Sequence, residues 1–186
     1  MIVLIVLIVI VLAVVFLVGG GYNRLVALRQ NANQAFADID VQLKQRQDLI
    51  PNLVETVKGY ASHESGTLEA VTAARNAAAS AGTVDQKVAA ENQLTGALGR
   101  LMAVSEAYPD LKANANFMQL QGELADIENK LAAARRFFNN TVSEYNASIQ
   151  QFPTVLYAGP MGFQAKTFFD LGDNRAAAET APQVKF

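Results

Sequence analysis

The sequence has no cysteine and a single histidine, His63, and these two shortages remove most of the catalytic chemistry open to the chain. Without cysteine there are no disulfides, no thiolate nucleophile and no lipid-modified cysteine anchor. The segment His63-Glu64 begins a His-Glu-x-x-His pattern, but Thr67 stands where the second imidazole is needed. A di-iron bundle site or a serine triad would depend on the same lone histidine. We therefore expect no catalytic, cofactor-binding or metal-binding residues and no enzymatic activity, with His63 exposed or at a helix end.

An excess of charge of either sign is also missing, because 15 basic and 17 acidic side chains give a net charge of −2. The basic residues are scattered, so we expect no binding to nucleic acid. The glycines at 19–21 lack the lysine of a phosphate-binding loop. The spacing of several charged groups is typical of solvated helix faces: Asp38 with Asp40, Glu123 with Asp126, and Glu128 with Lys130 and Arg135. The pairs Lys44/Arg46 and Arg135/Arg136 could also touch lipid head groups, which is a weak signal.

Residues 1–18 contain no charged or polar side chain, and the first charge along the chain is Arg24. A helix of this length measures roughly 27 Å, close to the ~30 Å hydrocarbon core of a bilayer. A cleaved secretory signal is the main alternative, but no basic residue precedes the run and no small-x-small site follows it. We expect a retained transmembrane anchor. Because Arg24 and Arg29 flank it before any acid occurs, the positive-inside rule favours an outside N-terminus and a cytoplasmic domain.

Apolar residues recur at helical spacing through most of the remaining chain, and no strand pattern competes with them. The longest seam consists of Phe117, Leu120, Leu124, Ile127, Leu131, Ala134, Phe138, Thr141, Tyr145 and Ser148. Asn114 or Asn116 is suited to cap this helix, and Phe152-Pro153 should end it. An earlier seam consists of Leu25, Leu28, Ala32, Ala35, Ile39, Leu43, Ile50, Leu53, Val57 and Tyr60.

A further helix is predicted over about 84–106, with Val88, Leu94, Leu98, Leu101 and Met102 on its inner face. Pro51 interrupts the earlier seam, so we expect a kink or break there unless the ring falls in the first turn of a new helix. Exposed Asp48 and Asn52 beside such a bend could form a docking surface, or the segment could only fix helix geometry.

The predicted fold class is all-α: an N-terminal transmembrane helix, a bundle of long antiparallel helices and an irregular C-terminal tail. We divide the chain into an anchor with a glycine hinge at 1–21, a helical bundle at 22–152 and a tail at 153–186. The glycines of the hinge weaken helix continuity by about 0.5–1 kcal/mol each. The tail should dock by its aromatic rings or stay mobile, and those rings are Phe163, Phe168, Phe169 and Phe186.

Several segments together resemble the LemA family over essentially the whole chain. They are Ile39-Asp40-Val41-Gln42-Leu43-Lys44, Arg46 through Tyr60, Ala90-Glu91-Asn92-Gln93-Leu94, Glu106 through Asn114, Asn116-Phe117, the pairs Tyr22-Asn23 and Tyr145-Asn146, and Ala181 through Phe186. The resemblance implies a bacterial single-pass membrane protein with a mostly helical cytoplasmic domain. It brings no agreed activity and no catalytic residue. Members of the family are associated with magnetosome formation and with neighbouring membrane-protease genes.

The sequence therefore favours a membrane-anchored scaffold or self-assembling subunit that acts by association. The expected partners are the lipid bilayer, further copies of the chain in a homo-oligomer, and another membrane protein such as a protease. The alternative function is an adaptor or regulator of a membrane protease or envelope-stress system. The expected location is the bacterial inner membrane, and we expect no cofactor.

Overall fold

The computed structural model describes residues 1–169, which form six helices and no strand. The helices are α1 (Ile2–Lys58), α2 (Ser65–Ser80), α3 (Val84–Glu106), α4 (Pro109–Lys112), α5 (Ala115–Gln150) and α6 (Val155–Ala158). The predicted all-α class is confirmed over this part of the chain.

Helix α1 is longer than the sequence pattern alone indicates. It continues through the glycines at 19–21 and through Pro51, so no new helix begins at either place. It ends at Lys58, and a short connection separates it from α2, where the apolar pattern by itself shows no clear interruption. The glycines at the end of the apolar run make the helix less stable by a small free energy, but the helix continues through them.

The helix ends follow local capping chemistry. Thr83 and Gln86 form a reciprocal capping box at the start of α3, which begins at Val84 as predicted. The Asn114 Oδ1 accepts a 3.0 Å hydrogen bond from the backbone N–H of Phe117, so Asn114 is the residue that caps α5. Pro109 follows α3 and begins a four-residue helix, α4, with proline at its first position.

The described chain divides into two compact units. The first unit comprises residues 1–40 and 132–168, and the second begins with residues 41–131. The core of the first consists of Leu25, Leu28, Tyr145, Ile149, Ala158 and Phe163. The core of the second is larger and lies where α2 and α3 pack as a hairpin beside parts of α1 and α5; its most enclosed members include Val57, Val71, Leu94, Leu101 and Leu111. The division of the chain at residues 21 and 152 stays a prediction.

Beyond Pro153 the described tail contains one short helix, α6, and docks on the first unit through Phe163, which is buried. Phe169 is buried and Phe168 is half exposed. Phe186 lies outside the described residues.

Candidate functional site

The apolar start of α1 has no protein cover among residues 1–169. None of its most apolar window is buried, and the mean hydropathy of that window is 3.7. The Phe16 side chain, near the end of the run, is 85% exposed. The core helix of a soluble domain would be buried, and this segment is not. The helix has the length and composition to cross a membrane.

Helix α6 lies against α1 where the apolar run ends. The Tyr157 hydroxyl occupies the space beside Gly21, and a Cβ built on this glycine would be 1.8 Å from the Tyr157 oxygen. Together with Leu17, Arg24 and Phe152, these residues line a concavity of about 270 Å³. Gly21 is therefore the position where α1 has room for the tail to approach closely.

Phe163 joins the tail to α1 by two ring contacts. The Tyr22 ring meets it edge-on with centroids 5.5 Å apart, and the Arg29 guanidinium lies 4.9 Å from its centroid. A cation over an aromatic face is attracted by the ring quadrupole, which adds about 0.5–1 kcal/mol or more when the pair is desolvated. These contacts fix the turn that follows α6.

Asn146 of α5 also holds the tail, through two hydrogen bonds to the Lys166 backbone. Its Nδ2 donates to the Lys166 carbonyl oxygen at 2.9 Å, and its Oδ1 accepts from the Lys166 N–H at 2.9 Å. The Lys166 Nζ donates to Asn33 Oδ1 at 2.8 Å. Burial and then the positive charge of Arg29 lower the pKa of Lys166 below 10.5, whereas burial raises the pKa of neighbouring Tyr145 above 10.0 against the opposing effect of Arg29. The Tyr145-Asn146 pair thus serves an internal docking contact.

The second unit encloses an arginine, Arg46, that is 1% exposed. Its Nη1 donates to Glu91 Oε2 at 2.9 Å, and its Nη2 donates to Thr95 Oγ1 at 3.0 Å and contacts Glu128 Oε1 at 2.6 Å. Glu91 is 1% exposed and Glu128 is 39% exposed. We call Arg46, Glu91, Thr95 and Glu128 the arginine cluster; it joins α1, α3 and α5 within this unit.

The interpretation of Arg46 as a candidate lipid contact is wrong, because its guanidinium is buried against carboxylates. Glu128 is likewise not a purely solvated residue. The signal that could have revealed the cluster is positional: Arg46 lies between Leu43 and Ile50 at the step where the apolar seam of α1 calls for a core residue. A charge at such a position must be paired to be tolerated.

Pro51 is accommodated by a second arginine. Proline lacks the N–H that would donate to the carbonyl oxygen four residues earlier, on Gln47. The Arg75 Nε of α2 donates to that same oxygen at 3.2 Å. This contact supports the interpretation of the Asp48–Asn52 stretch as an element of helix geometry, since it supplies the hydrogen bond that the proline removes.

The exposed residues beside Pro51 keep the docking interpretation open. Asp48 is exposed and pairs with Lys44 at 2.7 Å, and it borders a groove with Glu123 and Asp126. A second groove, of about 580 Å³, has a mostly apolar lining and lies between the end of α1 and α2. We call it the α1–α2 groove; its lining includes Val54, Leu68, Ala73, Glu55, Lys58 and Glu69.

The other charged groups considered above are dispersed over the surface. His63 is exposed, as predicted, at the edge of a shallow depression that also includes Glu64 and Arg100. Glu123 accepts a hydrogen bond from Gln119 one turn earlier at 2.9 Å. Residues 1–169 hold no group of three or more histidine and carboxylate side chains placed to bind a metal ion.

Over residues 1–169 the fold and these contacts define an all-helical protein with one candidate membrane helix and a docked segment after α5. The LemA family model matches residues 35–186, so the chain belongs to the LemA family. Magnetosome protein MamQ of Magnetospirillum gryphiswaldense is similar, with 24% identity over 174 residues, 80% of this chain and 64% of the relative. Protein LemA of Metamycoplasma hominis is 27% identical over 141 residues, 75% of this chain and 64% of the relative. The chain thus spans less than two thirds of the length of these relatives.

Proposed function

We propose that this protein is a membrane-anchored helical bundle that acts by association, as a scaffold or self-assembling subunit at the bacterial inner membrane. The observation that carries the proposal is the uncovered apolar start of α1, which supports a permanent place for the chain in a bilayer. The grooves and surface pairs described above offer contacts rather than a converging set of reactive groups. The protein therefore works by binding, without catalysis or a cofactor.

The α1–α2 groove is the surface that we assign to self-association. Its floor is formed by Val54 and Leu68, while Glu55, Lys58 and Glu69 stand around it. An apolar floor with charged edges suits the apolar face of a helix from a second copy, because burial provides affinity and the charges fix the register.

Replacing either of two α2 alanines with arginine tests this assignment. Ala73→Arg places a long charged side chain in the groove, and Ala77→Arg places the same side chain on an exposed part of α2 that does not line it. The full chain is extracted with its surrounding lipid, and its mass is measured. We expect the parent and A77R to form oligomers and A73R to lose them. Monomeric parent protein with nothing co-purifying would contradict the proposal.

The same preparation separates the alternative function. A second protein in fixed stoichiometry with a monomeric chain, above all a membrane protease, would make this protein an adaptor or regulator instead. Loss of that partner in A73R and its retention in A77R would assign it to the same groove.

We further propose that the N-terminus is outside and the helical bundle is cytoplasmic. Arg24 is exposed immediately beyond the apolar run, which supports this orientation through the positive-inside rule. Since the sequence has no cysteine, Ser80→Cys introduces a single label site at an exposed position outside the α1–α2 groove. A membrane-impermeant maleimide should leave it unmodified in intact cells and modify it after permeabilisation. Modification in intact cells would reverse the orientation.

A further inference from the structure

We propose that residues 152–161, which include α6, form a second membrane contact that lies in the interfacial layer of the bilayer. The inference deepens the proposed function and rests on its premise that residues 2–18 cross the membrane. It assigns lipid, rather than protein, as the cover of an exposed apolar surface on the first unit. We call these residues the interfacial segment.

The depth of the segment follows from its contact with α1. Gly21 lies three residues beyond Val18, which is about 4.5 Å along a helix axis. The head-group layer adds about 5–7 Å on each side of the hydrocarbon core. Tyr157, which contacts Gly21, is therefore at head-group level, where the amphipathic ring of tyrosine is favoured. Leu17, within the apolar run itself, borders the same concavity as Phe152.

The segment has an inner and an outer face. Ala158 on the inner face is 2% exposed. On the outer face Phe152 is 80% exposed, Leu156 is 68% exposed and Val155 is 49% exposed. Large apolar groups that face away from a protein core at this depth gain free energy by entering the lipid boundary, as the apolar faces of interfacial helices do.

The charge around the segment fits an anionic lipid surface. No acidic residue occurs between Glu144 and Asp170, and none precedes Asp38 at the start of α1. The exposed Arg24 lines the same concavity as Phe152. Basic side chains near a cytoplasmic leaflet contribute about 1 kcal/mol each to binding anionic lipids. The partner is therefore a bilayer that contains anionic phospholipid.

The absence of tryptophan allows a direct test, because each introduced tryptophan is the only one in the chain. Three matched Phe→Trp variants of the full-length protein are reconstituted in vesicles of zwitterionic and anionic phospholipid. Phe152→Trp reports the interfacial segment and Phe16→Trp reports the span. Phe137→Trp is the control, since this exposed α5 residue lies in the same unit about 20 Å along the helix from its C-terminal end.

We expect lipids brominated near the head-group end of their acyl chains to quench F152W, together with a blue-shifted emission and several-fold weaker quenching by aqueous iodide than for F137W. F16W should be quenched by lipids brominated deep in the chain. If F16W is quenched in this way but F152W behaves like F137W, the anchor stands and the inference is wrong.

Two other results would also overturn the inference. F152W that is shielded from both iodide and brominated lipid is covered by protein, which would make the surface a contact between chains. If F16W is not quenched by brominated lipid either, the span is not in the bilayer and the proposed membrane placement fails with the inference.

Discussion

Removing the positive charge of Arg46 should strongly destabilise the second unit. Arg46→Met replaces the guanidinium with an apolar side chain of similar length and leaves Glu91 buried at 1% exposure without its 2.9 Å partner. Losing one member of a buried ion pair costs about 3–5 kcal/mol, because the remaining carboxylate stays out of water and loses the guanidinium that compensates its charge. We expect a loss of that size in the free energy of unfolding.

The other members of the cluster should matter less, and in a defined order. Glu91→Met leaves Arg46 with Thr95 and Glu128, so we expect a cost of about 1–3 kcal/mol. Glu128 is 39% exposed and can be solvated when its partner is lost. Glu128→Gln should therefore cost no more than about 1 kcal/mol.

The double variant R46M/E91M decides whether the explanation is correct. Both charges are then replaced by apolar groups of similar volume, and such replacements are often neutral or stabilising. We expect its free energy of unfolding to be within about 1–2 kcal/mol of the parent, far from the sum of the single losses. Denaturant unfolding of the full chain in detergent, followed by circular dichroism, measures the parent and the four variants while the candidate membrane helix stays folded. Additive losses, or a cost below 1 kcal/mol for R46M, would refute the reasoning.

Three further predictions concern single contacts. Arg75→Ala should cost about 1–3 kcal/mol, because it leaves the Gln47 carbonyl oxygen without its donor. Pro51→Ala in that background should recover part of the loss by restoring an N–H, and equal unfolding midpoints for R75A and P51A/R75A would contradict this. Gly20→Ala should stabilise by about 0.5–1 kcal/mol, whereas Gly21→Ala should not, because the α6 tyrosine must move; thermal melting checks the difference. Burial raises the pKa of Tyr145, so the folded protein holds that proton longer and stability should fall as pH rises above 10.0; unfolding at a series of pH values should show a shallower loss in Y145F.

Local chemistry made much of the fold predictable. The start of α3 at Val84 follows from the Thr83 capping signal, and Asn114 caps α5 as proposed. The seam of α5 is predictable because helical geometry repeats along the sequence, and Phe117, Leu131 and Phe138 are all buried as expected.

The arginine contacts were not predictable from the sequence because their partners are distant along it. Arg46 meets Glu91 across 45 positions, and Arg75 meets the Gln47 carbonyl across 28. The charge pattern alone cannot distinguish an arginine at the surface from one that fills a core, so the interpretation of Arg46 as a lipid contact was wrong. The sequence does show that compensating groups are needed. A charge on an apolar seam and a proline inside a helix each require a partner elsewhere in the fold.

The described tail adds to what the proposed anchor does, because it bears on the orientation of the attached domain at the membrane. A single membrane helix fixes position but leaves the attached domain free to rotate about the helix axis and to tilt. The proposed second contact at the interface is offset from that axis and should restrict both motions. Gly21 provides the space that lets α6 approach α1. Since ordering a membrane-bound chain in advance reduces the entropy lost on association, the proposed interfacial segment should strengthen the proposed self-association. Placing a charge at Leu156 in the outer face should therefore weaken assembly measured in lipid and leave assembly measured in detergent unchanged.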